Sequence, residues 1–379
     1  MNRAGAAPAC ATATGQLFDP QLNIKQVNEK LYLQKLNSEV SDQAVYLKAA
    51  RMGGGIYMHL PYFMPVGACQ QGAFEVSARH ILWNGKWYSG AVSFPFAAAA
   101  GESVFFTNEA APVIKGASYF DASISPVVQE RSTEAFGKAI SFYQDVLQAD
   151  PMRGVGSVVA IVRNEGKYAG FGGDSLNIIR MSYDNPSAAN LATLDQVFPS
   201  TFAHELAHKL QSEALFAQPL ARHIVEGGAD FLKVIVMRGA GLIDEDQARG
   251  IVRKAAPACT AFADDRLLRV KAEQRKFNFR EPYDCGLIYY SVAYFSSGLS
   301  GADFVAILRN ALAGESDYGD AQNSLCLLFE TSCRSKRLNA VAGSKAGYLL
   351  QMAWLEGQLA TRPMPLLKQR LPVSANITR

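Results

Sequence analysis

The segment Thr201-Phe202-Ala203-His204-Glu205-Leu206-Ala207-His208-Lys209-Leu210 carries the residue types and the spacing of a metal site. A helix turns about 100° per residue, so side chains four apart stand on one face, about one turn from each other. His204 and His208 can then aim two imidazole nitrogens at a single ion about 2 Å from each. Glu205 sits beside that point, placed to take a proton from a water that a dication has acidified. Phe202, Ala203, Leu206, Ala207 and Leu210 supply apolar flanks, and a dication polarises water most where bulk solvent is kept out. The chain holds only five histidines, so a chance pair at this spacing, with Glu after the first, is a poor explanation.

A third ligand is expected from Arg222-His223-Ile224-Val225-Glu226-Gly227-Gly228-Ala229-Asp230. Glu226 follows His208 by 18 residues, enough for one helix to end, turn and present a carboxylate from an antiparallel neighbour. Its apolar flanks speak against a solvated acid. A glycine inside a helix costs about 1 kcal/mol, so Gly227 and Gly228 want a packing reason, and a close approach of the two ligand helices around the metal is the expected one. Asp230, four residues after Glu226, shares its face and can accept a hydrogen bond from the second ring nitrogen of a ligand histidine. His223 either borders the site or caps the helix start. The rival three-histidine zinc arrangement needs Gly and then His soon after the second His; Gln211 and Ala214 stand there and exclude it.

The elements that must position these groups follow from periodicity. Residues 1–40 read as loosely ordered, then helical around Pro20 to Leu36. From about Ala44 to Ile124, short aromatic and β-branched runs alternate with Gly, Pro and Asn, the pattern of a β-rich domain. Ser132 to Leu147 has helical spacing, Val155 to Val162 is an apolar strand, a Gly-rich turn follows, and Ser175 to Ser182 is a second strand. The motif helix is expected from Pro199 to about Ala217, capped by Ser200 or Asp195, and the next from Arg222 to Arg238. The remainder, from about Leu242 to Leu366, is mostly helical. The fold class is α+β, with a β-rich domain over 1–125, a zinc-binding catalytic subdomain over 126–240 and a helical subdomain over 241–379.

Bulk composition excludes some alternatives. In 379 residues, hydrophobic side chains make up 49% and charged ones 19%, with a formal net charge of +3. That balance argues for neither nucleic acid nor an anionic membrane surface. No stretch reaches the ~20 apolar residues that a membrane span needs. The first 15 residues lack the apolar core of a complete signal peptide. Six cysteines, none in Cys-x-x-Cys spacing, argue against a cysteine zinc site. Their even number fits disulfides in an exported protein, with Cys326 and Cys333 a candidate pair and buried thiols the alternative. Export is favoured over the cytoplasm.

The HELAH segment followed by EGGAD resembles the gluzincin metallopeptidases, the group of the thermolysin-like enzymes and of the alanyl aminopeptidase and leukotriene A4 hydrolase family. The resemblance covers about residues 130–300. It implies a thermolysin-like catalytic domain, one zinc ion held by His204, His208 and Glu226, Glu205 as base, and Asp230 supporting a ligand histidine. Glu281-Pro282-Tyr283-Asp284-Cys285-Gly286 resembles the Pro-Tyr-x-Lys-Gly motif of the aminopeptidase-like branch, which includes the glycyl aminopeptidases, with Cys285 where that branch has Lys. The motif's tyrosine stabilises the oxyanion, which implies that role for Tyr283. Gly170-Phe171-Gly172-Gly173-Asp174-Ser175-Leu176 resembles the Gly-Gly edge strand that pairs with substrate, which marks Gly172, Gly173, Asp174 and Ser175 as substrate-binding. The stretch carries Asp174 and Ser175 in place of the family's Glu, so exo- and endopeptidase action both stay open.

The expected activity is hydrolysis of peptide bonds in a peptide or protein substrate, with the strand Ser175 to Ser182 pairing with the extended chain. The alternative is a non-catalytic binding protein that keeps a gluzincin fold and a structural zinc.

Overall fold

The computed structural model describes residues 2–4, 22–27, 30–35, 49–60, 73–95, 98, 102–148, 152, 154–162, 170–211, 221–263, 280–312 and 345–367. Helix and sheet are mixed, and the chain divides into two units: Met1–Thr133 with Arg153–Phe198, and Glu134–Met152 with Pro199–Arg379.

The first unit holds the sheets. Strands β1 (Asn2–Ala4), β4 (Ala49–Met52), β5 (Gly55–His59), β6 (Ala73–Trp83), β7 (Lys86–Pro95) and β8 (Ser103–Thr107) form a six-stranded sheet in the order β1-β6-β8-β5-β4, with β7 paired to β6. A five-stranded sheet takes β9 (Val113–Lys115), β10 (Ser118–Phe120), β11 (Gly156–Val162), β12 (Gly170–Ser175) and β13 (Ile178–Asp184), ordered β12-β13-β11-β10-β9. Met52, Tyr57, Leu82, Phe105, Tyr119, Val158, Ala160 and Ile178 form one of its cores. The β-rich character expected from Ala44 to Ile124 is present in β4 to β10.

Two expectations change here. The stretch around Pro20 to Leu36, expected as helix, contains the antiparallel pair β2 (Leu22–Val27) and β3 (Lys30–Lys35), with Ile24 opposite Leu33. The reason lies in the alternation of Leu22, Ile24, Leu31 and Leu33 with polar neighbours, a period of two. The Gly-rich stretch expected to turn is itself largely strand. The strand expected from Ser175 to Ser182 is β13, which starts at Ile178 and is paired on both sides, to β11 and to β12, so it has no open edge for a substrate. Among the described residues β12 pairs on one side only, and Gly172, Gly173, Asp174 and Ser175 lie on it.

The second unit is helical. Helix α1 (Pro126–Ser141) begins in the first unit, ends in the second and is followed by one π turn, Phe142–Val146. Helix α2 (Ala188–Leu191) belongs to the first unit, and α3 (Leu194–His208) begins there and ends in the second. Helices α4 (Ala221–Gly239), α5 (Glu245–Ala263), α6 (Glu281–Ser297), α7 (Gly301–Leu312) and α8 (Lys345–Thr361) make up the rest of the second. The motif helix starts earlier than Pro199 and its helical hydrogen bonding ends at His208. Around α4, Phe231 packs against Tyr290 and Phe304 with ring centroids 5.8 and 5.6 Å apart. Burying each such ring is worth about 1.5–3 kcal/mol. The disulfide Cys259–Cys285 links α5 to α6, whereas Cys326 and Cys333 lie outside the described residues.

Helices α4 and α6 touch backbone to backbone. A Cβ added at Gly227 would lie 2.3 Å from Gly286 Cα, and one at Gly286 would lie 2.4 Å from the His223 carbonyl oxygen. Gly228 faces the Tyr290 hydroxyl, 3.0 Å from an added Cβ. The glycine pair is thus explained by the approach of α6 to α4.

In an unpacked helix Gly→Ala gains up to about 1 kcal/mol; at Gly227 overpacking should reverse the sign. We expect Gly227→Ala to destabilise the protein by about 1–3 kcal/mol. Gly250→Ala, on α5 with nothing within 4 Å of the added carbon, should stabilise it. Urea unfolding of both variants reads the two signs directly.

Candidate metal centre

The helix that carries the two histidines is anchored by its apolar side. Phe202, Ala203, Leu206 and Ala207 are fully buried, and Phe136 packs against Phe202 with centroids 4.8 Å apart and the rings tilted by 44°. The π turn brings in Tyr143, whose hydroxyl donates to the Ala203 carbonyl at 2.8 Å. A π turn offsets the ladder by one residue, and here it fixes the backbone immediately before His204.

Three side chains meet at one point. His204 Nε2 and His208 Nε2 are 3.1 Å apart, and Glu226 Oε2 lies 3.3 Å from the first and 3.5 Å from the second. The two imidazole rings stand nearly perpendicular, at 86°. His204, His208 and Glu226 are the group among the described residues that can hold a metal ion. The spacing i, i+4 on α3 and one carboxylate from α4 bring them together as the motif requires.

The electrostatics favour a cation there. Burial opposes a charged imidazolium at His204, but hydrogen bonds to Asp230 and Glu226 and the charges of Asp230 and Glu205 outweigh it, raising the pKa to about 9. Burial likewise pulls the Glu226 carboxyl up, yet its contacts with the two histidines hold it far below the carboxylate range. Glu226 Oε2 is buried, with the two imidazole nitrogens at 3.3 and 3.5 Å as its neighbours and no short hydrogen bond. A buried anionic oxygen of this kind costs stability unless a cation meets it. Two imidazole nitrogens and one carboxylate oxygen form a donor set that suits zinc, with a fourth position for water. The residues present therefore fit such an ion.

The surrounding residues orient the set. His204 Nδ1 lies 2.7 Å from Asp230 Oδ1, as its helical spacing from Glu226 foretold. A carboxylate only accepts, so the Nδ1 hydrogen is fixed and the Nε2 side faces the centre. Lys233 Nζ sits 2.5 Å from the same Asp230 oxygen, balancing a carboxylate that is almost wholly buried. Lys233 carried no signal in the motif search, although i, i+3 spacing from Asp230 on a helix would have pointed to it. Glu205 is buried and close enough for its charge to raise both His204 and Tyr283.

Tyr283, on the first turn of α6, joins the cluster. Its ring stacks on His204 with centroids 5.5 Å apart at 29°, and its hydroxyl hydrogen-bonds Glu226. Burial first, then the charges of Glu226 and Glu205, push its phenol well above the ordinary value. The Arg280 guanidinium lies 5.1 Å from the ring centroid and pairs with Asp284 at 2.8 Å. His223 stands apart from the three ligand atoms and packs its ring 6.2 Å from Tyr289. Gly172, Gly173, Asp174 and Ser175 belong to the first unit, with Gly172 exposed.

Removing the Asp230 carboxylate should free the His204 ring and leave Lys233 without its counter-charge. We expect Asp230→Ala to weaken zinc binding by about 10–100-fold in a chelator-competition titration. An unchanged titration would separate Asp230 from the metal centre. The assignment rests on this geometry alone: no family model matches the chain, and no curated protein matches it.

Proposed function

We propose that the chain is a zinc-dependent peptidase of the gluzincin type, with a thermolysin-like catalytic subdomain. The single observation that carries the reading is the convergence of His204, His208 and Glu226 on one point with Glu205 buried beside it. His204, His208 and Glu226 would hold the ion, which when bound brings the pKa of a water toward neutrality and polarises the scissile carbonyl.

The chain's own groups account for the rest of the chemistry. Glu205 takes the proton from the attacking water and passes it to the leaving amine. A purely structural ion has no use for a buried carboxylate at that position, which favours an enzyme over the alternative of a non-catalytic zinc-holding binding protein. Tyr283 keeps its proton across the working pH range because its pKa is raised, so its hydroxyl serves as a donor to the carbonyl oxygen as negative charge gathers there. Among the described residues the glycine-bearing β12 pairs on one side only, and an extended peptide joins an edge of that kind as an added strand. That assigns substrate binding to Gly172, Gly173, Asp174 and Ser175.

Incubation with a mixed peptide library, with products mapped by mass spectrometry, tests the activity and shows whether cleavage is terminal or internal. An inert, zinc-loaded protein would favour the binding-protein reading. Glu205→Gln should keep zinc at full stoichiometry while kcat falls by about 10²–10⁴-fold; normal turnover in that variant would remove Glu205 as the base. Tyr283→Phe should lower kcat by about 10²-fold with little change in KM, and an unaffected kcat would leave the tyrosine as a packing residue.

A further inference from the structure

Gln211 lies just beyond the end of α3, three residues after His208, and makes three contacts, two of them to that histidine. Its backbone N–H donates to the His208 carbonyl at 3.1 Å, which turns the chain back so that the side chain reaches the ring. Its Nε2 lies 2.7 Å from the Val225 carbonyl oxygen, and its Oε1 lies 2.8 Å from His208 Nδ1. The orientation of the amide follows from chemistry. A backbone carbonyl only accepts, so the NH₂ group must face Val225. The amide oxygen then faces His208, and an amide oxygen only accepts, so His208 Nδ1 must carry the hydrogen. The lone pair is left on Nε2, the nitrogen that faces His204 and Glu226.

We infer that Gln211 is a positioning residue that sets the tautomer of His208 and couples that ring to the backbone next to Glu226. This rests on the reading of His204, His208 and Glu226 as metal ligands. A neutral imidazole in the other tautomer presents a proton where a metal needs a lone pair. Val225 immediately precedes Glu226, so a single amide spans the second histidine on α3 and the carboxylate-bearing turn of α4. The two ligand histidines are therefore supported differently. His204 leans on a charged carboxylate balanced by Lys233, and His208 on a neutral amide that brings no further charge into the buried cluster.

The test compares the full-length wild type with Gln211→Leu, Gln211→Lys and Gln211→Glu. Leu removes both side-chain contacts, Lys can still donate to Val225 but accepts nothing from His208, and Glu keeps the acceptor for His208. Zinc ion is titrated against a competing chelator, and long-range ¹H–¹⁵N correlations read the protonated nitrogen of His208 in chelator-treated protein. Thermal melts establish that each variant is folded. The expected result is a hydrogen on Nδ1 in the wild type, a loss of about 10–100-fold in zinc affinity for Leu and Lys with a mixture of tautomers, and recovery by Glu. Folded Leu or Lys variants that bind zinc as tightly as a zinc-binding wild type, with Nδ1 still protonated, would overturn this inference and leave the metal reading intact. A wild type that binds no zinc would overturn both.

Discussion

Ionisable groups buried against one another are unfavourable unless their charges are balanced, and this constraint governs the helical unit. Three carboxylates, Glu205, Glu226 and Asp230, lie near two imidazoles in a largely buried setting. Desolvation alone would neutralise the acids. Positive charge opposes this at two of them: Lys233 and His204 pull the Asp230 carboxyl down, and the two histidines do the same for Glu226. A divalent cation supplies the same compensation more completely, and it does so where Glu226 Oε2 otherwise has no short hydrogen bond.

Helix α4 distributes the work along successive residues. Val225 offers its carbonyl to Gln211, Glu226 faces the two imidazoles, Gly227 lets α6 approach, Asp230 holds His204, and Lys233 balances Asp230. Helix α6 answers from the other side with Tyr283 against His204, Gly286 against Gly227 and Tyr290 reaching the Ile224 carbonyl at 3.0 Å. The disulfide from Cys259 enters α6 at Cys285, next to the glycine at the crossing. A rigid scaffold of this kind is what a metal ligand set needs, because small misplacements of a ligand or a base are costly in rate.

The parts of this arrangement that were legible in the sequence are those set by local periodicity. His204, Glu205 and His208 sit on one helix, and Glu226 with Asp230 on another, so spacing alone places them. The less legible parts depend on which distant segments become neighbours. The order of strands put β13 inside the sheet and left the edge to β12, and no local pattern states that order. The partner of Gly227 is Gly286, far along the chain, so the need for a glycine pair was visible and its reason was not. The pairing of Cys259 with Cys285 has no local signature either. Gln211 was read only as a residue that is not glycine, because a lone glutamine gives no signal until the Val225 carbonyl and the His208 ring are seen on either side of it. The hairpin of β2 and β3 was missed for a different reason: its alternation is short enough that a helical reading competes with it.

The crossing of α4 and α6 also bears on how such a site can change. Where side chains separate two helices, a rotamer shift or a one-carbon substitution can widen or narrow the gap. At Gly227 and Gly286 main-chain atoms meet main-chain atoms, and nothing adjustable remains between them. The distance from the carboxylate on one helix to the phenol on the other is consequently gauged by atomic radii. Variation in this site would have to enter elsewhere, while the gap between these two helices stays the same width.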